Sequence, residues 1–449
     1  MSSMPEPRAR PAATASPARK VALSHLADKV RRGGEMFPIP VDITGLSPRD
    51  ARLAEAIDRA ATIRWTTLQA IIEPMLKHPW NDQAPEVIAA LLGGTTQLLL
   101  LDRVPDHAAI SEAVGWCRTT KAAGAAGVVN AILRKVTRIR SERLKHVDPD
   151  RPDVLLREDG SGWSLTQPIF QGSPLTAMAA QCGCHTTWLE RIATAHSADT
   201  AREIALHSIA EAPLILHGAG PHESLIDHDL PGFQVLKAGH DLHEVLAAFP
   251  KAIVQDTTAA APVNATSAMA PQIALDRCAG RGTKSRQLAA LHPSARIIAC
   301  DTNAARLEDL DDLPETHAGR IEVGGKNPPE ELRGKVDLLL LDVPCTNTGV
   351  LARRPEARHR VDPTTRTTLR DLQRQIAADA LPWLSPTGTL VWATCSIDRE
   401  ENEAQVEWLT QWHPLQVVSM AGQTGTGLPG DPPTAWQDGG FFAMLRHRH

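Results

Sequence analysis

Apolar residues follow two different periods along this chain. From Ser47 to about Leu133 they recur at three- and four-residue steps: Leu53, Ile57, Ala60 and Ala61, then Leu68, Ile71, Ile72 and Met75, then Val87, Ile88, Leu91 and Leu92. The run Leu98 to Leu101 and the stretches Ala108 to Ala113 and Ala125 to Leu133 continue in the same way. Short breaks of Pro, Gly and Asp between them predict a bundle of small helices, roughly 90 residues in all. Residues 141 to 250 are the least periodic, with helices expected at Trp188 to Arg191 and Thr200 to Ala210 and a strand at Pro213 to Leu216. From Lys251 onward the period changes. Short apolar runs (Ile273 to Leu275, Arg296 to Cys300, Val336 to Leu341, Thr389 to Ala393) alternate with helical stretches such as the one marked by Leu369, Leu372 and Ile376. That alternation predicts an α/β domain with a parallel sheet covered on both faces.

A chain of 449 residues has room for two or three domains, each with its own core. Four regions are expected: a disordered basic tail at 1–47, the helical bundle at 48–140, a linker with a small α/β subdomain at 141–250, and the α/β domain at 251–449. Met1 to Pro38 holds seven Lys/Arg against three Asp/Glu, in a Pro- and Ala-rich stretch without sustained periodicity. Net charge is −5, so any basic surface must be local. Arg118 to Lys145 is such a place, with eight Lys/Arg and one acid. It reads either as a solvated helix face or as a grip on a phosphate backbone. Seven cysteines at irregular spacings form no disulfide framework, and a reducing cytoplasm fits them best. No leading apolar segment of signal-peptide type and no run of bilayer-spanning length is present, so no membrane association is expected. Cys182-Gly183-Cys184-His185 lacks a second cysteine pair, reads as structural, and leaves no metal expected.

The chemistry-bearing residues cluster where strands give way to other structure. The strand ending at Asp276 runs into Arg277-Cys278-Ala279-Gly280-Arg281-Gly282-Thr283-Lys284. Glycines at such a turn let the backbone approach a ligand closely. The next strand ends in Asp301, 21 residues past Gly280, where a carboxylate can accept from both ribose hydroxyls of a nucleoside cofactor. The phosphate-binding glycine pattern of dinucleotide enzymes is incomplete, which favours S-adenosylmethionine, a cofactor without phosphate. Val336 to Leu341 ends in Asp342-Val343-Pro344-Cys345, and Thr389 to Ala393 ends in Thr394-Cys395-Ser396. Two successive strands thus present one cysteine each at the same sheet edge. Read alone, Cys395 is a buried core thiol; the second sulfur turns the pair into a candidate reactive site. A helix is expected directly after Cys395, capped by Asp398 with Glu401 reaching back, its positive end favouring a thiolate while the nearby glutamates oppose it.

Two resemblances follow from these residues. Leu101 to Ile110, Glu112-Ala113-Val114 and Val129 to Arg134 resemble the NusB-like RNA-binding domain fused to the front of some ribosomal RNA methyltransferases. Leu275 to Lys284, Asp342 to Gly349 and Ala393 to Asn402 resemble the cofactor loop, the Asp-x-Pro-Cys motif and the Thr-Cys-Ser motif of RNA cytosine-5 methyltransferases. Together, with Gln255-Asp256 and Asp438 to Phe442, they resemble the RsmB (Sun, Fmu) group over residues 48 to 449, weakly between 141 and 250. The resemblance implies an all-α NusB-like bundle, a small α/β middle region and a Rossmann-like class I methyltransferase domain. It further implies a monomeric cytoplasmic enzyme that methylates small-subunit ribosomal RNA with S-adenosylmethionine. Cys395 would be the nucleophile, Cys345 the partner in proton removal and release, Asp342 the contact to cytosine, and Lys284 the residue ordering that pocket. Cys278, Ala279, Gly280, Arg281, Gly282, Thr283, Lys284, Asp301, Arg306 and Asp342 would hold the cofactor.

The sequence departs from the group in two places. Arg281-Gly282-Thr283 stands where Pro-Gly-Gly is usual, and the acidic residue that usually holds the adenine edge is missing from Ile321-Glu322-Val323, where Glu322 either substitutes or is pointed elsewhere by strand alternation. DNA cytosine methyltransferases use the Pro-Cys sulfur as nucleophile, so the reverse assignment of the two cysteines stays open. A rival of another class is a non-catalytic NusB-like RNA-binding factor with a degenerate methyltransferase fold. Arg353, Arg354, Arg358, Arg360, Arg366, Arg370 and Arg374 read either as a solvated face or as a phosphate grip beside the site.

Overall fold

A computed structural model describes residues 15–32, 39–317, 319–360 and 362–448, which form two units, Met1–Glu190 and Arg191–His449. Among the described residues, the first unit is built around a bundle of α1 (Pro17–Arg31), α2 (Pro48–Ile63), α3 (Trp65–Ile72), α4 (Pro85–Leu99), α5 (Asp106–Arg118) and α6 (Ala126–Ile139). Helix α4 is mostly apolar and buried along nearly its whole length, so it forms the centre around which the others pack.

Helix α1 corrects the expected tail. Ala18, Ala22, Leu23 and Leu26 recur at helical spacing and are fully buried against the bundle core. Arg19 donates to Gln97 at 2.6 Å and to Glu112 at 2.9 Å, and Lys29 donates to Asp58 at 2.7 Å. The stripe escaped notice because it is mostly alanine, which carries little hydrophobic contrast in an Ala- and Pro-rich stretch. Residues 1–14 and 33–38 of the expected tail lie outside the described residues.

The bundle also extends past the expected boundary at 140. Strand β1 (Arg140–Leu144) follows α6 directly and joins β2 (Val154–Leu156) and β3 (Gly162–Leu165) in an antiparallel sheet of order β1-β3-β2. Leu155, Leu165 and Phe170 belong to the bundle core, and the Trp163 indole N–H donates to the Leu99 carbonyl at 3.0 Å. Helix α7 (Pro174–Cys182) completes this unit, and α8 (Thr186–Ala195) carries the division between the two.

The second unit opens with α9 (Ala198–His207) and a four-stranded sheet of order β5-β6-β4-β7: β4 (Ile215–His217), β5 (Leu225–Asp227), β6 (Phe233–Leu236) and, after α10 (Leu242–Ala248), β7 (Ile253–Val254). This small sheet closes three to four residues beyond the expected boundary at 250, because β7 pairs with β4. Helix α11 (Thr257–Asn264) leads to the main sheet. Its strands are β8 (Ile273–Asp276), β9 (Arg296–Cys300), β10 (Ile321–Gly325), β11 (Val336–Asp342), β12 (Leu384–Thr394), β13 (Leu415–Gln423) and β14 (Gly440–His447). The helices between them are α12 (Thr283–Leu291), α13 (Ala304–Glu308), α14 (Leu313–Thr316), α15 (Pro363–Ala380) and α16 (Glu403–Trp412).

The sheet order is β10-β9-β8-β11-β12-β14-β13, parallel from β10 through β12 and antiparallel at β14 and β13. Strand β11 is central. Leu339 and Leu341 face one core and Leu338 and Leu340 the other, which is why its sequence is continuously apolar. Successive connections leave in opposite directions between β8 and β11, so the carboxyl ends of these two strands border the crevice where such sheets bind ligands.

Because α1 is part of the core, Leu23→Ala should destabilise the first unit by about 2–5 kcal/mol, measured by urea unfolding. A change below about 0.5 kcal/mol, the size of an ordinary surface substitution, would show that α1 does not pack there.

Candidate active site

Three strand ends meet at this crevice. The loop after β8 carries Arg277 to Gly282 and is tied to the end of β9: the Ala279 N–H donates to the Cys300 carbonyl at 2.9 Å and the Gly280 N–H to Asp301 Oδ2 at 3.0 Å. Asp301 also accepts from the Asn303 N–H at 2.9 Å and faces Arg306 at 3.5 Å. Gly282 opens α12 with φ of 76°, and a Cβ there would meet Leu313 at 2.5 Å, so both backbone and packing require glycine. Arg281, which replaces the usual proline, points outward and pairs with Asp309 at 3.1 Å; it leaves the loop's backbone contacts intact. Thr283 is the first residue of α12, and Cys278 sits among the acids Asp276, Asp342 and Asp301, where burial first and those charges second push its thiol upward.

Lys284, in the first turn of α12, spans from this loop to the next strand end and donates to Asp342 Oδ2 at 2.7 Å. Burial pulls its ammonium down, but the Asp342 carboxylate and the Cys395 sulfur outweigh that and hold it above the ordinary value. Asp276 is a site residue that sequence reasoning passed over as the end of a strand. It is almost fully buried, one oxygen accepts from the Ser285 hydroxyl at 2.7 Å, and the other has no hydrogen-bond partner among the described residues. Burial, with Asp342 adding to it, raises its carboxyl to about 7. Its visible sequence signal was a charge at the end of an apolar strand beside a glycine loop.

Strands β11 and β12 are parallel neighbours with Asp342 opposite Ala393. The turns that leave them bring Cys345 Sγ and Cys395 Sγ to 3.3 Å. Cys345 is 8 % exposed; Cys395 is partly exposed. The hydrogen bond to Cys395 and then burial push the Cys345 thiol well above its usual range. Asn347 closes the group: its Oδ1 accepts from Cys395 Sγ at 3.1 Å and its amide donates to the Cys345 carbonyl at 2.9 Å. It has φ of 61°, the left-handed region that asparagine tolerates better than most residues. The turns are held together at Gly349 and Gly439, where a Cβ on Gly349 would lie 2.4 Å from the Gly439 carbonyl oxygen. Gly349 N–H donates to the Cys395 carbonyl at 3.0 Å, and Gly439 N–H to the Gly349 carbonyl at 2.8 Å. Cys345, Cys395, Asp342 and Lys284 are therefore one cluster, adjoined through Lys284 by the glycine loop.

One expectation is corrected and two open readings are narrowed. The helix after Cys395 starts only at Glu403, so its positive end does not reach the sulfur. Asp398 instead accepts from Arg191 at 2.7 Å, and Glu401 turns to Thr346. Glu322 does not substitute for the missing adenine-holding acid. It takes two bonds from Arg296, at 2.6 and 2.7 Å, and Arg296 opens β9 at the end opposite the crevice. Several of the seven arginines after Cys345 are engaged within the protein, while Arg354 stays exposed. Arg353 bonds Asp438 at 2.6 Å, Arg358 is buried and donates to the Ser208 carbonyl at 2.7 Å, Arg366 pairs with Glu400 at 3.0 Å, and Arg374 lies 5.2 Å over the Trp408 ring.

Comparison with known proteins agrees with this architecture. The family described as 16S rRNA methyltransferase RsmB/F matches residues 265–445, and the NusB family matches residues 18–138. Ribosomal RNA small subunit methyltransferase B of Shewanella oneidensis is 31% identical over 401 residues, covering 82% of this chain and 84% of that protein. The probable ribosomal RNA small subunit methyltransferase B of Synechocystis is 28% identical over 426 residues, covering 89% and 92%. The solved structure of PH0851 shares the fold with a TM-score of 0.69 at 17% identity, covering 96% of this chain and 99% of that one.

Asp276 also makes a pH prediction. Its folded carboxyl holds the proton up to about 7, whereas an unfolded one releases it near about 4. Its contribution to stability is therefore complete below the unfolded value and is lost as pH rises through the folded one. Urea unfolding without added cofactor should show stability falling over that window, and Asp276→Asn should flatten the fall. An unchanged pH dependence in the variant would contradict the assignment.

Proposed function

Because the chain belongs to the RsmB group of small-subunit ribosomal RNA methyltransferases, we propose that it methylates C5 of a cytosine in that RNA through a covalent bond from Cys395 to C6. The observation that carries this reading is the sulfur pair, 3.3 Å apart at the ends of adjacent strands and beside the Lys284–Asp342 ion pair. S-adenosylmethionine, when bound, supplies an electrophilic methyl group. The loop Cys278 to Lys284, Asp301, Arg306 and Asp342 would hold it, and the unpartnered oxygen of Asp276 suits a cationic ligand at the same crevice.

Cytosine C5 is too weak a nucleophile to take that methyl unaided. A bond from the Cys395 sulfur to C6 moves the C5=C6 electron pair onto C5 and makes it nucleophilic. Cys395 is the more exposed of the two sulfurs and so the one an incoming base can reach. Asp342, fixed by Lys284, faces the polar edge of the base. After methyl transfer the Cys345 sulfur, its own proton released to solvent once Cys395 is bonded to carbon, takes the C5 proton. The C5–H electron pair restores the C5=C6 bond, the C6–S bond breaks, and its electron pair returns to Cys395. The base must be out of any stack to reach this crevice.

The same reading makes the N-terminal bundle the RNA-binding domain, places the enzyme in the cytoplasm and leaves it a monomer. Arg134, Lys135 and Arg138 are exposed on α6, next to the small residues Gly127 and Ala131, where a phosphate backbone can approach closely. The rival reading, an RNA-binding factor without catalysis, draws support from the engagement of Glu322 by Arg296. Radiolabelled methyl transfer to unmodified small-subunit ribosomal RNA, followed by bisulfite mapping, separates the two.

Cys395→Ala should abolish both methyl transfer and the covalent RNA adduct, while Cys345→Ala should trap enzyme on RNA as a denaturant-resistant band. The opposite pattern would exchange the roles of the two sulfurs. Changing Arg134, Lys135 and Arg138 to Glu should weaken RNA binding by about tenfold or more and flatten its dependence on salt. Binding that is unaffected, or insensitive to salt in the parent enzyme, would place the RNA elsewhere.

A further inference from the structure

Neither cysteine lies on a strand; each sits in a turn, so something must fix each sulfur separately. On the Cys345 side, the Pro344 carbonyl accepts from the Gln373 amide at 3.0 Å. The Thr346 N–H donates to both oxygens of Glu401, at 3.0 and 3.2 Å, and the Thr346 hydroxyl to Glu401 at 2.5 Å. Gln373 and Glu401 are themselves joined at 3.1 Å. The peptide groups before and after Cys345 are thus both clamped, by residues from α15 and from the turn after β12. On the Cys395 side, the Ser396 carbonyl accepts from the Asn402 amide at 2.9 Å, and Asn402 Oδ1 accepts from the Thr394 hydroxyl at 2.6 Å. Glu401, Gln373 and Asn402 are all buried, none more than 3 % exposed.

Burying a carboxylate and two carboxamides costs free energy unless they are satisfied, and here their partners are largely the turns that carry the sulfurs. We propose that Glu401 and Asn402, adjacent in sequence, are positioning residues for different steps: Glu401, with Gln373, sets Cys345 for proton removal and release, and Asn402, with Thr394, sets Cys395 for attack. This rests on the sulfur roles given above. The turns also touch each other, through the Thr346 and Ser396 hydroxyls at 3.3 Å and from the Gly349 N–H to the Cys395 carbonyl at 3.0 Å, so each clamp has some reach to the other side. What divides is the backbone contacts made by the side chains of Glu401, Gln373 and Asn402.

The division is read from adduct and turnover together. The full-length chain, S-adenosylmethionine and in-vitro transcribed 16S ribosomal RNA are incubated, and denaturant-stable adduct and methyl transfer are measured in parallel. Glu401→Gln and Gln373→Ala should slow turnover by about tenfold while adduct accumulates above the parent level, since displacement of a catalytic group by a fraction of an ångström costs this much. Asn402→Ala and Thr394→Val should lower adduct and turnover together by a similar factor. A merely structural role would lower both quantities in all four variants, and that result overturns the proposal. Two variants on each side guard against one that fails to fold, checked by thermal melting. Failure of the underlying reading would look different: Cys345→Ala and Cys395→Ala would then not show opposite adduct levels in the same assay.

Discussion

The parallel pairing of β11 with β12 is the constraint on which the site depends. With Asp342 opposite Ala393, the chain needs three further residues on one strand and two on the other to reach its cysteines. Two turns of this kind, started from one register, bring the sulfurs into contact at 3.3 Å. A slip of one residue in that pairing would turn every side chain of β12 to the other face. The register is secured by what the strands bury: Leu339 and Leu341 with Leu390 and Trp392 on one side, Leu338 and Leu340 with Val391 on the other. Packing of apolar side chains several residues away thus fixes the distance between two reactive atoms.

The turns themselves are held by largely buried polar groups. Asp256 and Asp438 are buried at the edge of the site and the half-buried Arg353 joins them, bonded to Asp438 at 2.6 Å and facing Asp256 at 3.5 Å. Burial first, then the Asp438 charge, raise the Asp256 carboxyl to about 6. A charge cluster of this kind adds little net stability, because desolvation offsets most of the attraction. Its effect is geometric. It fixes the turn at Asp438, whose neighbour Gly439 packs on Gly349 and so on the loop that carries Cys345. Arg353, which the sequence left open between a solvated face and a phosphate grip, is spent on this task.

Much of this was legible before any coordinates. The change of period near Lys251, the motif spacing and the two strand-end cysteines led to the right architecture and to the residues that meet at the crevice. What was not legible has a common cause. Helix α1 is amphipathic in alanine, so its pattern is faint. Helix α15 was found, but its buried side was misjudged: Leu372 is 43 % exposed, while Gln373 is fully buried because Pro344 and Glu401 need its amide. Likewise Asp398 and Glu401 read as a helix cap because their spacing fits one, yet their partners lie some 50 residues upstream and on α8. Periodicity reports which side of an element is apolar. It is silent about polar side chains whose partners come from distant parts of the chain.

The most direct test is to locate the covalent bond. The parent enzyme is incubated with S-adenosylmethionine and 16S ribosomal RNA containing 5-fluorocytidine, whose fluorine cannot leave as a proton, so that the complex is held after methyl transfer. After nuclease and protease digestion, tandem mass spectrometry should find a methylated fluorocytidine attached to the peptide containing Cys395. Attachment at Cys345, or no cross-link while the same RNA in unfluorinated form is methylated, would contradict the account.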